Sequence, residues 1–508
     1  MAADPQRGVI DFLAQPAAYA AAGPVERLST HISHVFLCGE RAYKLKRAVR
    51  FSYLDFSTVE RRRTACNAEI AVNRRTAPAL YLGVAPVRRD AAGRLRLGAI
   101  EDAGTGEAED WVVVMGRFGQ EALFDRMAVD GRLTRAHMVA LADVVAAFHD
   151  RAEVTPGFGG SAAMAALLDG NAAEIARHVP VVFAATAVQR LDATMRRALA
   201  AAAARLDARR GAGLVRHCHG DLHLRNVALI DGRPTPFDAI EFDPALSHID
   251  VLYDLAFLVM DCEHRSLRGF ANAALNRYLA MRPDHGGLAL LPLFMACRAA
   301  IRAHVLAAAG GADEARSYFA LAEALLAPPV PRLVAVGGLS GSGKSTVAEA
   351  LAPEIGAVPG AVVLRSDVIR KRLFGLDPLA RLPESAYAPD VTQRVYAAMR
   401  DHAADALAGG HAVIADAVHA RAGERAAIAA VAAAAGVRFD GIWLDLPLEA
   451  RVSRIRGRAP DASDATAEVA SAQENYDRGS LDWTRVAAGG SISDSLGDIR
   501  SVLSGAAR

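Results

Sequence analysis

Gly338-Leu339-Ser340-Gly341-Ser342-Gly343-Lys344-Ser345 decides the fold of the last third of the chain. It follows the apolar run Leu333–Val336 and precedes Thr346–Leu351, so it reads as a turn between a strand and a helix. Glycines there permit positive φ and close backbone approach. The N–H groups of such a turn converge on phosphate oxygens, and the positive end of the following helix reinforces them. On this reading Lys344 reaches the β- and γ-phosphates of ATP, Ser345 binds Mg²⁺, and Thr346 comes next in the nucleotide site.

Outward from this loop, short apolar strands (Ala361–Leu364, Ala412–Ala415, Gly441–Leu444) alternate with helical stretches, which implies a parallel sheet with helical crossovers. Two of the strands lead into acids. Asp416 is placed to serve the Mg²⁺ side of the site through water. Asp367, in Ser366-Asp367-Val368-Ile369-Arg370, is placed to orient or deprotonate an acceptor hydroxyl, or to cap a helix. Arg451, Arg454, Arg456 and Arg458 crowd one helix and loop, as arginines closing over a transferring phosphate would, with Arg454 and Arg458 the nucleotide-side candidates. These residues resemble the small P-loop kinases: gluconate kinase, polynucleotide kinase and zeta-toxin-like proteins. The resemblance implies a P-loop NTPase domain with a parallel sheet between helices.

Ala327-Pro328-Pro329-Val330-Pro331 precedes that domain. Its prolines break a helix and favour an extended linker, giving domains at 1–326 and 332–508 joined by 327–331. Within the first part, His219-Gly220-Asp221-Leu222-His223-Leu224-Arg225-Asn226 sets an acid and an amide five residues apart in a polar loop. At that spacing Asp221 accepts a hydroxyl proton and Asn226 holds Mg²⁺. The loop leads into a hairpin turning at Asp231-Gly232. Beyond it lie Asp238, Glu241 and Asp243, one of which is the second metal ligand: Asp238 first, Glu241 next. Val35–Leu37 and Ala42–Lys46 read as another hairpin, with Lys44 and Lys46 on one face. Either serves as a phosphate lysine, with Lys44 preferred. The helix at Thr58–Arg75 offers Glu69, ahead of Glu60, to hold it.

Over Val25–Leu326 these features resemble the aminoglycoside phosphotransferase and choline kinase superfamily. The resemblance implies a protein-kinase-like two-lobed domain, ATP–Mg²⁺ transfer to a small-molecule hydroxyl, and a hinge strand at Asp110–Phe118. There is one departure: Leu28–His34 has no glycine where protein-kinase cousins carry a Gly-rich loop. The arrangement as a whole resembles bacterial two-domain fusions of a phosphotransferase with a P-loop kinase.

Composition bounds this reading. The 508 residues are 52% hydrophobic and 23% charged, as in a multidomain globular protein. A net charge of +1 supplies no global field for nucleic acid or anionic lipid, and 6% aromatic residues leave few stacking platforms. Five scattered cysteines imply reduced thiols in the cytoplasm rather than disulfides or a zinc site. No charge-free apolar run reaches about 18 residues, and the N-terminus lacks a signal-peptide pattern, so no membrane partner is expected. The expected fold class is therefore multidomain, α+β followed by α/β. The expected activity is a bifunctional phosphotransferase acting with ATP and Mg²⁺ on a small-molecule alcohol. Two alternatives stand: a one-site kinase with a regulatory nucleotide-binding module, and a zeta-toxin or polynucleotide-kinase-like modifier of nucleotides or nucleic-acid ends.

Overall fold

The computed structural model describes residues 5–19, 23–51, 54–102, 107–377, 379–457 and 462–505. The chain forms two compact units, Met1–Ala163 with Leu206–Leu258, and Met164–Arg205 with Val259–Arg508. Segments 164–205 and 259–326 thus group with the strand-and-helix region that follows the proline segment.

The first unit is built on a six-stranded antiparallel sheet. In chain order its strands are β1 (Glu26–Ser29), β2 (Ser33–Cys38), β3 (Arg41–Lys46), β4 (Tyr81–Arg89), β5 (Leu95–Leu97) and β6 (Asp110–Gly116). Their spatial order is β1-β2-β3-β6-β4-β5, which puts β3 and β6 side by side, with Lys44 opposite Val113. Both faces of the sheet are covered. Val112 and Val114 meet Val9, Ile10 and Leu13, while Val113 and Met115 meet Cys66 and Ile70 on the other side. That alternation is the period-two pattern of a strand buried on both faces.

Against β4 and β6 lies the Val59–Asn73 helix, whose first turn is closed by the Thr58 hydroxyl accepting from Arg61 N. Its buried face mixes Arg62, Glu69 and Asn73 with Cys66, Ile70 and Val72, so polar partners fix it together with apolar packing. Later in the unit come β7 (Val215–His217), β8 (Val227–Ile230), β9 (Arg233–Pro236) and β10 (His248–Asp250). β8 and β9 form a hairpin through Asp231 and Gly232, both at positive φ.

In the second unit β11 (Arg332–Gly337), β12 (Val362–Arg365), β13 (Val413–Asp416), β14 (Arg438–Asp445) and β15 (Thr484–Ala487) form a wholly parallel sheet. Its order is β12-β13-β11-β14-β15. The sequence anticipates the first four strands to within three residues at their ends; β15, short and largely exposed, was not foreseen. The core joins Val334, Val336, Ile414, Ile442 and Leu444 to Val347, Leu351 and Ile499 from helices. The segment His285–Ala308 is long and apolar enough to cross a membrane by composition, with mean hydropathy 1.5, yet it is 67% buried within the protein and carries Arg298 and Arg302.

Candidate active sites

At the first site the structure brings Lys44, Lys46, Glu69, Asp238 and Glu241 together. Lys44 Nζ donates to Glu69 Oε1 at 2.8 Å and to Asp238 Oδ1 at 2.7 Å. Lys46 Nζ donates to Glu69 Oε2 at 2.7 Å and to Glu241 Oε1 at 2.5 Å. Glu69 is therefore shared by both lysines, and Glu60 lies exposed in the helix's first turn. The lysines differ in openness: the Lys44 side chain is 14% exposed and that of Lys46 1%. Burial alone would lower the Lys44 ammonium, but Asp238 and Glu69 reverse this and hold it well above its usual value. Burial likewise pushes the Glu69 carboxyl up, and the two ammonium groups override it and hold it low. Burial raises the Glu241 carboxyl, helped by Glu69 and against the pull of Lys46 and Lys44.

Asp238 stands at positive φ. That conformation is held by its neighbours: Tyr81 OH accepts from Asp238 N at 3.1 Å, and Asn73 Oδ1 accepts from Ala239 N at 2.8 Å. Asp243 caps the short helix Pro244–Ser247 by accepting from Ala245 N. Asp221 and Asn226 meet, with Asn226 Nδ2 donating to Asp221 Oδ2 at 2.8 Å. The loop holding them is anchored by Asp254, a fully buried residue that accepts from Gly220 N at 2.8 Å and His219 N at 3.1 Å, and pairs with His149 Nε2 at 3.1 Å. His219 donates through Nε2 to Phe237 O at 3.0 Å and accepts from Asp221 N through Nδ1. Burial keeps it neutral, which that tautomer requires. Gly220 takes φ +83, and a Cβ there would lie 2.8 Å from Leu246 O.

The glycine-free turn between β1 and β2 is closed by its own hydroxyl. Thr30 Oγ1 accepts from Ser33 N at 3.0 Å, and Ser29 Oγ pairs with His34 Nδ1 at 2.9 Å.

The second site is the loop between β11 and the Lys344–Leu351 helix. Gly341 has φ +87, and a Cβ on it would meet Arg451 O at 2.7 Å. Ser345 Oγ donates to Asp416 Oδ2 at 2.6 Å, and Arg365 Nε lies 3.6 Å from the same oxygen. Lys344 Nζ rests on Leu339 O at 3.3 Å. Its ammonium is lowered by burial, against the pull of Asp416 and Asp367. Both acids are raised, Asp367 by burial and by Asp416, and Asp416 by burial against Arg365 and Lys344. Asp367 sits in the first turn of the Ser366–Leu373 helix, whose N-cap is Arg365, so Asp367 is not the cap. Thr346 is exposed on the Lys344–Leu351 helix.

The residues suit a nucleotide and Mg²⁺. Ser342 Oγ is buried in the loop without a hydrogen-bond partner, and a serine hydroxyl beside a carboxylate is a hard oxygen pair. At the first site Asp238 and Asn226 offer oxygens of the same kind.

Among the arginines, Arg451 is fully buried and works on backbone: Nε on Leu446 O, Nη1 on Ser340 O at 3.2 Å, with Glu474 as ion partner. Arg454 donates to Ser342 O at 3.3 Å and Ala488 O at 2.7 Å. Arg458 lies outside the described residues. Beside the loop is a cavity of about 300 Å³, lined by residues that include Leu339, Trp443, Pro447, Arg451 and Glu474.

Asn73, Tyr81 and His149 carry no sequence signal beyond polarity inside otherwise buried elements, nor does Gln473, which accepts from Ser340 N at 2.7 Å and donates to Ser340 Oγ at 2.9 Å; His219 enters the sequence reading only as the first residue of the Asp221 motif.

Comparison with known proteins matches each of the two sites to a family of its own. Residues 59–291 match the family described as Phosphotransferase enzyme family, and residues 333–477 match the AAA domain family. The chain is 30% identical over 467 residues to an uncharacterized protein of Mycobacterium bovis, covering 89% of this chain and 90% of that one. An uncharacterized protein of Mycobacterium tuberculosis matches with the same identity and coverage. Among solved structures, a choline/ethanolamine kinase family protein from Mesorhizobium loti is 15% identical, with 63% of this chain and 94% of that one covered and a TM-score of 0.39. An APS kinase of Mycobacterium tuberculosis is 24% identical, with 35% and 99% covered and a TM-score of 0.26.

Proposed function

This chain belongs to the family of its mycobacterial relatives, and in it a match to the Phosphotransferase enzyme family precedes a match to the AAA domain family; from that premise we propose a bifunctional enzyme with two ATP-dependent transfer sites. The observation that carries the reading is that each site gathers the residue types that phosphoryl transfer uses. Lys44 with Glu69, Asp238, Asp221 and Asn226 make one; Lys344 with Ser345, Asp416 and Asp367 make the other.

In the first site Asp221 takes the proton of the acceptor hydroxyl, Asn226 and Asp238 hold Mg²⁺, and Lys44 is released from Asp238 to the nucleotide phosphates. In the second, the loop amides and Lys344 cradle the phosphates, Ser345 and Asp416 hold Mg²⁺, and Asp367 orients the acceptor hydroxyl. Mg²⁺ held by these residues would supply neutralisation of phosphate charge in both sites. The nucleoside end is assigned to the cavity beside Leu339. The acceptor is a small-molecule alcohol, and the setting a reducing cytoplasm, which five free buried cysteines support.

A one-site enzyme with a regulatory first domain is the second reading. It is favoured by Lys44 being locked between Glu69 and Asp238, and by the absence of glycine from the turn between β1 and β2. Calorimetric titration of Mg–ATP into wild type, Lys44→Ala and Lys344→Ala decides between them. Two binding events, one lost in each variant, are expected. A single event, lost only in Lys344→Ala, would overturn the two-site reading in favour of the second.

A further inference from the structure

β12 is an edge strand: β13 covers one side of it, and no strand among the described residues covers the other. Its outer side presents Ala361 N–H, Ala361 C=O and Val363 N–H, groups that need partners when buried. Ala361 N donates to Ala352 O at 2.8 Å. The other two are met by side chains of the Arg268–Met281 helix. Asn276 Oδ1 accepts from Val363 N at 2.7 Å, and Asn276 Nδ2 donates to Ala361 O at 3.2 Å. A primary amide thus presents to the strand the donor and acceptor that a neighbouring peptide would. Asn272, one turn earlier and buried, donates to Ala361 O at 3.0 Å and accepts from Asn276 Nδ2 at 3.0 Å, which fixes the amide's orientation. Asparagine disfavours a helix interior, by roughly 0.7 kcal/mol against alanine. Two of them in an otherwise alanine-rich helix mark a position used for its contacts.

The element on the far side of Asp367 is gripped by the same helix. Arg372, near the end of the Ser366–Leu373 helix, donates to Ala280 O at 3.1 Å and Met281 O at 2.9 Å, the last-turn carbonyls of the Arg268–Met281 helix. Asp367 lies between these two attachments, and its neighbours in charge are Asp416, Lys344 and Arg365.

We propose that Asn276 is a positioning residue for the P-loop site, standing in for a missing strand on the outer side of β12 and fixing the end of that strand from which Asp367 is presented. The proposal rests on the reading of Asp367 as the acceptor-side carboxylate. It separates two properties of the site. The phosphate loop grows from β11, inside the sheet, so ATP binding does not depend on the clamp. Transfer does, because a misplacement of about 1 Å in a reacting group costs about a hundredfold in rate.

The test uses the full chain with Lys44→Ala, so that only the P-loop site turns over ATP. Asn276→Leu removes both bonds at similar volume, and Asn276→Asp keeps the acceptor for Val363 N–H. Mg–ATP affinity is measured by calorimetry, ATP cleavage with water as acceptor in single turnover, and amide exchange by mass spectrometry. Asn276→Leu is expected to leave affinity within about threefold, slow cleavage by about ten- to a hundredfold, and speed exchange at 361–365 alone, with Asn276→Asp intermediate. Unchanged cleavage overturns the proposal. So does a parallel fall of affinity and cleavage with exchange raised through the whole sheet, which is mere destabilisation. Asp367→Asn is run beside it: if that variant cleaves normally, the reading of Asp367 has failed and the proposal with it. If it is inactive while Asn276→Leu is normal, the proposal alone has failed.

Discussion

The Ser345 hydroxyl donates to Asp416 across the top of the parallel sheet, at 2.6 Å. Strand register produces the pairing, because β11 and β13 are adjacent and parallel, with Val336 opposite Asp416. The end of β13 delivers the carboxylate, and the loop and helix that follow β11 deliver the hydroxyl to the same place. Ser345→Ala and Asp416→Asn should each lower ATP turnover at this site by about a hundredfold or more. The double variant should fall little further, since residues acting as a unit are not additive. Steady-state rates against Mg²⁺ concentration check this, and independent, multiplying losses would separate the two residues.

Glu69 governs the other site from a buried position between two lysines. Glu69→Ala leaves Lys44 and Lys46 short of a counter-charge in a buried site, a type of loss that costs about 3–5 kcal/mol. Lys44→Met removes the more open lysine and should weaken ATP binding with a smaller stability change. Urea unfolding paired with ATP titration distinguishes them. Equal stability losses would mean that Lys44 serves packing rather than nucleotide.

Much of this geometry was legible in the sequence. The loop at Gly338–Ser345 announces strand, turn and helix, because glycine requirements and apolar flanks are local. The Asp221–Asn226 spacing is local too. The choice between Lys44 and Lys46 was not legible, since alternation puts both on one face and only the packing of the Val59–Asn73 helix makes one more open than the other. Nor was the work of Arg451, which reads as a lid residue among arginines and turns out to be buried on the backbone of the phosphate loop. Asp254 and Gln473 act through contacts between residues distant in sequence, which no spacing rule reports.

Asp254 offers a direct check of how the Asp221 loop is held. Asp254→Ala leaves two backbone N–H groups and His149 without their acceptor, and each unsatisfied buried group costs about 1–3 kcal/mol. Transfer at the first site should fall by at least tenfold with Asp221 intact, while ATP binding at the P-loop stays unchanged. Transfer rates on the Lys344→Ala background isolate the first site, and Mg–ATP calorimetry on the Lys44→Ala background checks the P-loop. Normal transfer would mean the loop holds its shape without the carboxylate.

Gly341→Ala probes the phosphate loop by sterics alone. The new Cβ would meet Arg451 O at 2.7 Å, and φ +87 disfavours any side chain. Loop and arginine cannot both keep their places. ATP affinity at this site should drop at least tenfold, with the first site untouched, as read by the two-event titration. Full affinity would mean that the loop adjusts on binding.

Acidification should destabilise the second unit through buried neutral histidines. Burial, aided by His402 and Arg372, holds His285 at about 3. Burial holds His411 at about 4, against the hydrogen bond it makes with Leu288 O. In the unfolded chain both take up a proton near 6.5. Below that pH the unfolded state binds protons that the folded state refuses, so stability is whole above about 6.5 and is lost as pH falls toward 4. Each histidine costs up to about 1.4 kcal/mol per pH unit in that window. The raised acids Asp367 and Asp416 work in the opposite sense: protonating them in the folded state relieves their burial as pH falls. The difference between variants is therefore the clean measurement. His411→Gln keeps a donor for Leu288 O and cannot titrate, so its loss of stability between pH 7.5 and 5.5 should be about 1 kcal/mol smaller than that of wild type. Identical slopes in urea unfolding at the two pH values would mean that His411 is protonated in the folded protein.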